Sequence, residues 1–152
     1  TDAVANLYGQ EARASASFAT AGDGQTSVLT AYANTTDGTI TTMFLDGPGG
    51  SQRIVLPNET SWAFRILVIA RENDAGGTTA AYQFLGAITR DANAASTTLR
   101  ASTQTTIYEG DTAWDVDIAA DTTNGALQIE VEGNTADDVN WVARIELTQV
   151  TY

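Results

Sequence analysis

The sequence predicts an all-β fold, an antiparallel β-sandwich or jelly-roll-like arrangement of about ten short strands. Three observations lead there. Apolar and polar residues alternate with a period of two in run after run, as in WDVDI (114–118), LQIEVE (127–132) and WVARIEL (141–147). Turn signals built from Gly, Asn, Asp and Pro recur at intervals of roughly 8–14 residues. No segment carries a sustained 3.6-residue apolar period; only ANAAS (92–96) suggests a single helical turn. At 152 residues the chain most simply forms one domain, long enough to bury a genuine core.

Residues 1–12 have no clear period. They read as a loosely ordered leading segment, or as a link to a missing N-terminal part, because the chain opens at TDAVANLYGQ without Met. Residues 13–152 then form the single sandwich domain. RASASFAT (13–20) is a weak strand, AGDG (21–24) a turn and QTSVLTAYAN (25–34) a stronger strand. After TTDG come TITTMFL (39–45), a DGPGG loop, and SQRIVLP (51–57), a strand that stops at Pro57 for want of a ladder donor.

A long hairpin follows over 60–72 and 78–90. Its first strand places Trp62, Phe64, Ile66 and Val68 on one face, yet Leu67 and Ile69 are apolar on the other. A strand half-buried in a sandwich needs only one apolar face, so the second face calls for a cover. Either a neighbouring subunit supplies it, with Arg65 and Arg71 pairing with acids at the margin, or the chain's own 91–109 segment does. STTLRAS (96–102) and QTTIYE (104–109) in that segment are short strands.

Three strands close the chain, at 114–121, 125–133 and 139–150, expected as a meander in one sheet with Val116, Ile129 and Ile145 facing the core. Asn-Gly at 124–125 marks the first connection as a hairpin. A four-residue TTNG loop pairs Asp121 with Ala126, Ile118 with Ile129 and Val116 with Val131. On the outer face that register opposes Asp117 to Glu130 and Asp115 to Glu132, like charges that weaken a ladder by some tenths of a kcal/mol each. Hydration or Arg144 relieves them; a Ca²⁺ ion is the alternative, although the spacing is not that of an EF-hand loop.

The composition excludes much chemistry. The net charge is −12, from 19 acids against 7 bases, all Arg, and the chain has no His, Lys or Cys. This excludes Ser-His-Asp catalysis, His- or Cys-ligated metal, Schiff bases, P-loop lysine and disulfides. The acidity opposes nucleic acid and anionic membranes, and no run of about 18 apolar residues supports membrane insertion. Neither a cofactor nor a metal site is expected, and no catalytic residue stands out. Only carboxylate pairs remain for acid/base work, and Asp115, Asp117, Glu130 and Glu132 project from an open strand face, whereas a glycosidase acid requires burial in a concave site. The reading is therefore of a protein that is not an enzyme.

The stretches GDGQTS, TTDGTITTMFLDG, RIVLPNETSWAFRILVIAR, YQFLGAITRDA, WDVDIAADTTNGALQIEVEG and NWVARIEL resemble, in that order, a C-terminal β-rich domain of tailed-bacteriophage virion appendages such as tail fibres and adhesins, many from phages of aquatic bacteria. The resemblance spans roughly Gly22 to Leu147 and brings no catalytic residues with it. It implies a virion location, a homotrimeric fibre tip and a host-surface receptor such as a glycan or a protein. The subunit contact then falls on Arg65, Leu67, Ile69 and Arg71. The receptor contact falls on the turn and loop residues Asn73, Asp74, Tyr108 and Asp111, where an aromatic ring can stack on sugar and Asp or Asn can bind hydroxyls. Alternatives are a head or fibre decoration domain without a receptor, and a free carbohydrate-binding module.

Overall fold

The structure, a computed structural model, describes residues 2–152. Ten strands run in chain order: β1 (Glu11–Arg13), β2 (Gly24–Thr35), β3 (Thr41–Thr42), β4 (Ile54–Val55), β5 (Thr60–Glu72), β6 (Thr79–Arg90), β7 (Thr98–Glu109), β8 (Asp115–Asp121), β9 (Ala126–Glu132) and β10 (Val139–Thr151). They form two packed antiparallel sheets, confirming the all-β sandwich. The larger sheet has the order β1-β2-β10-β5-β6-β7. In the smaller, β9 pairs with β8 on one edge and with the short β3 and β4 on the other. The single turn foreseen at 92–96 is a 3₁₀ turn over Ala94–Ser96, capped by the Asn93 side chain.

Alternation in the sequence becomes alternation in burial. β5 runs buried-exposed without a break from Thr60 to Arg71, and β10 does so from Val139 to Ile145. Val116, Ile129 and Ile145 all face the core, as expected. The core lies between the sheets, where Trp114 and Trp141 meet with ring centroids 5.7 Å apart. The polar atoms of its aromatic side chains are partnered, as burial requires: Trp141 Nε1 donates to Thr35 Oγ1, Trp62 Nε1 to Gln149 Oε1, and Tyr82 Oη to Glu109 Oε1. Gly86 lies where the Phe64 ring crosses β6; a Cβ there would sit 2.4 Å from that ring and 2.2 Å from the Ala101 carbonyl.

The β8–β9 register matches the four-residue TTNG loop, with Asp121 opposite Ala126, Ile118 opposite Ile129, and Asp117 opposite Glu130. Three expectations are corrected. The last three strands are not one meander, because β10 leaves the small sheet and lies between β2 and β5 in the large one. Residues 13–20 are not a strand beyond Arg13; Asp23 gathers the backbone N–H groups of Phe18, Ala19 and Thr20 into a tight loop. Segments 96–102 and 104–109 are one strand, β7, which extends the large sheet at its edge and does not cover the Leu67/Ile69 face.

The strand directions give the sandwich two distinct ends. Tyr152 bonds to Glu59 and Asp2 bonds to Gly22, so the N- and C-terminal residues lie at one end. At the other end are the connections 36–40, 73–78, 110–114 and 133–138.

Candidate functional site

The outer face of the large sheet is the first candidate. Pairing registers align Tyr32, Val142, Ile69, Ala81 and Tyr108 in a single row that crosses five strands. The next row toward the termini holds Thr30, Arg144, Leu67, Gln83 and Thr105, and the one after it Val28, Glu146, Arg65, Leu85 and Thr103. These apolar side chains stand in solvent: Leu67 is 48% exposed, Ile69 47%, Leu85 51% and Tyr108 60%. Tyr108, expected in a receptor loop, is thus on β7 in the same row as Ile69. Two extra residues in β7, Arg100 and Ile107, bulge its pairing with β6 and blunt this open sheet edge against strand addition.

Charge is divided between the two outer faces. The large sheet's outer face carries Arg13, Arg65, Arg71 and Arg144, and at the β7 edge Arg100, which bonds to Thr89 there, against Glu11 and Glu146. The small sheet's outer face carries Asp115, Asp117, Glu130 and Glu132 in opposed pairs. Gln128 Nε2 donates to Glu130 there, and Arg53 reaches only Asp121, at 3.4 Å. Arg144, placed by the sequence near these acids, lies on the other sheet, where it pairs with Glu146. Among the described residues no three acidic side chains converge as a metal site.

The loop end is the second candidate. Asn73 and Asp74 sit in the β5–β6 turn, beside a depression of about 420 Å³ lined by Arg71, Glu72, Asn73, Asp74 and Asn140. Asp138 organises it. Its carboxylate accepts from Asn34 Nδ2 at 2.6 Å and from Asn73 Nδ2 at 3.2 Å, and its carbonyl accepts from the Asn73 N–H at 2.7 Å. Those two side-chain bonds, Asn34 foremost, hold the Asp138 carboxyl below its ordinary pKa. Asn34 Nδ2 also reaches Asn140 Oδ1 at 3.1 Å. Arg71 makes no ion pair among the described residues.

Asp111 lies at the same end but is committed to its own loop. It accepts from the Ala113 N–H and from Asn134 Nδ2, which lower its pKa in that order. The sequence therefore located the end of the molecule and two residues of the depression. It missed Asn34 on β2, Asn140 on β10 and Asp138 just before β10; their only sequence signal is a polar residue at the tip of an alternating run.

No known protein-family model matches the chain, and no curated protein does. Among solved structures, the fold recurs in the tailspike protein gp49 of Acinetobacter baumannii bacteriophage Fri1, described as a capsular polysaccharide depolymerase (TM-score 0.52, 8% identity, covering 85% of this chain and 18% of that one). Weaker likenesses are to the tailspike of Acinetobacter phage vB_ApiP_P1 (TM-score 0.37, 11% identity, 82% of this chain and 22% of that one) and to that of Acinetobacter baumannii phage AM24 (TM-score 0.33, 8% identity, 80% and 26%). The chain spans between 18% and 26% of the length of these proteins. The fold is one found in a phage tailspike. It also overturns the expectation of a protein that is not an enzyme: gp49, which contains this fold, is described as a depolymerase, so the fold gives no ground for setting catalysis aside.

Proposed function

We propose that the chain is a β-sandwich domain of a tailed-phage tail appendage, carried on the virion, which assembles as a homotrimer through the outer face of its large sheet and engages host-surface polysaccharide. The observation that carries this reading is the apolar row Tyr32–Val142–Ile69–Ala81–Tyr108, left uncovered by the chain's own 91–109 segment. Isolated exposed apolar residues need no explanation, but a contiguous face of this kind is the mark of an interaction surface.

Two quantities support self-association there. Five strands about 4.8 Å apart and some 12 residues long at about 3.3 Å each give a face of roughly 19 by 40 Å, near the ~800 Å² per partner of a stable interface. Electrostatics selects the face. Two copies of a chain with net charge −12 repel over most of their surfaces. They repel least where Arg65, Arg71 and Arg144 stand beside a single Glu146, and Arg65 of one copy can meet Glu146 of the next. A closed ring also removes the open apolar patch that a monomer would leave.

Sizing with light scattering at micromolar concentration tests the assembly. The parent chain is expected at the mass of three copies of 16.0 kDa, and Leu67→Ser with Ile69→Ser as monomer or aggregate. A parent of monomer mass that unfolds cooperatively refutes the trimer.

A further inference from the structure

We infer that the loop-end depression of Arg71, Asn73, Asp74 and Asn140 is a saccharide site that takes uncharged, hydroxyl-rich glycans. This deepens the proposed role at the host surface and rests on it. The depression's volume of about 420 Å³ falls within the roughly 300–1,000 Å³ of small-molecule sites.

Its free valences suit sugar hydroxyls, each of which both donates and accepts. Asn140 Oδ1 is occupied by Asn34, which leaves its Nδ2 hydrogens to donate. Asn73 Nδ2 is occupied by Asp138, which leaves its Oδ1 to accept. Arg71 brings a planar fork of donors with no protein partner among the described residues, and Asp74 brings a carboxylate. Fixed donors and acceptors lining one hollow can bind two neighbouring hydroxyls at once.

The groups are also held in place before any ligand arrives. Asp138 ties the β5–β6 turn to the 133–138 loop through both its backbone and its side chain, so little ordering entropy remains to be lost on binding.

Charge decides the class of glycan. Glu72 and Asp74 line the hollow with a single Arg71, and the Asp138 carboxylate is bonded to its Asn73, in a chain of net charge −12, so a polyanionic polysaccharide is repelled. An uncharged repeat unit is not. A polyanion would find its complement instead at Arg65 and Arg144, on the sheet face.

The test is retardation in native gels containing purified capsular polysaccharides, some with uncharged repeats and some bearing uronate. At least one uncharged polysaccharide is expected to retard the chain, with no loss in added salt. Arg71→Ala and Asp74→Ala, neither of which removes a bond within the fold, should each weaken retardation about tenfold or more. Retardation by no uncharged polysaccharide overturns the site, as does retardation that survives both substitutions. Retardation by uronate polysaccharides alone, abolished by Arg65→Ala with Arg144→Ala, also overturns it and moves the ligand to the sheet face. Light scattering on the same samples separates the two proposals: a trimer retarded by uronate polysaccharides alone defeats the site and leaves the proposed function standing, and a retarded monomer defeats the trimer alone.

Discussion

Gly125→Ala should be among the most damaging single-methyl changes in this protein, through a contact far away in sequence. Gly125 closes the β8–β9 turn at φ +70, and a Cβ built there would lie 2.3 Å from Arg90 Nη1 and 2.7 Å from its Cζ. Arg90, at the end of β6, donates through that same Nη1 to the Leu56 carbonyl at 2.7 Å, while the Leu56 N–H donates to the Gly125 carbonyl at 2.9 Å. One guanidinium thus ties the hairpin of the small sheet to the end of β6 in the large one. An alanine in left-handed backbone costs about 1–2 kcal/mol, and displacing Arg90 forfeits a charge-assisted bond worth about 1.5–3 kcal/mol. A loss of about 3–5 kcal/mol corresponds to a melting temperature lower by roughly 10 °C in a domain of this size. A double-mutant cycle separates the two costs. In an Arg90→Met background the clash is gone, so Gly125→Ala should cost only the backbone share, leaving a coupling of about 1.5–3 kcal/mol by urea unfolding followed through tryptophan fluorescence. Equal cost in both backgrounds, with coupling under about 0.5 kcal/mol, would show that Arg90 does not hold the turn.

The other predictions concern charge. Asp117→Asn or Glu130→Gln relieves a directly opposed like-charge pair and should leave stability unchanged or raise it by a few tenths of a kcal/mol; a lower melting temperature, together with a parent whose melting falls in EDTA, would instead reveal a bound Ca²⁺. Asp23 has its pKa lowered from 3.8 by the backbone N–H groups of Thr20, then Ala19 and Phe18. Its contribution is therefore complete above the unfolded value and disappears as pH falls through the lower folded one. Asp23→Asn should be less stable than the parent at pH 7 and should lose less on acidification below about pH 4, read by melting temperature against pH; parallel curves for the two proteins would contradict this.

Much of the fold was legible because it rests on a local signal. Period-two alternation assigns every side chain of β5, β8, β9 and β10 to a face, and the four-residue TTNG turn then sets the β8–β9 register residue by residue. β7 was read as two pieces because it has no alternation to show. It is an edge strand with solvent on both faces over most of its length, and neither face selects for apolar residues. Half of the depression was also legible, since Asn73 and Asp74 are turn-formers between two strong strands.

What remained invisible was decided between elements. The sequence by itself determined which face of each strand is buried, where the chain turns, and which chemistries its missing His, Lys and Cys rule out. Only the tertiary structure decided that β10 pairs with β2 and β5 and not with β9, because a strand's ladder bonds are backbone bonds and carry no side-chain signature of the partner. The same placement brings Asn140 on β10 beside Asn34 on β2, and Arg71 and Asn73 at the end of β5 to the same hollow. It also aligns five side chains from five strands into one exposed apolar row, an arrangement set by register across the whole sheet and by no segment of the sequence alone.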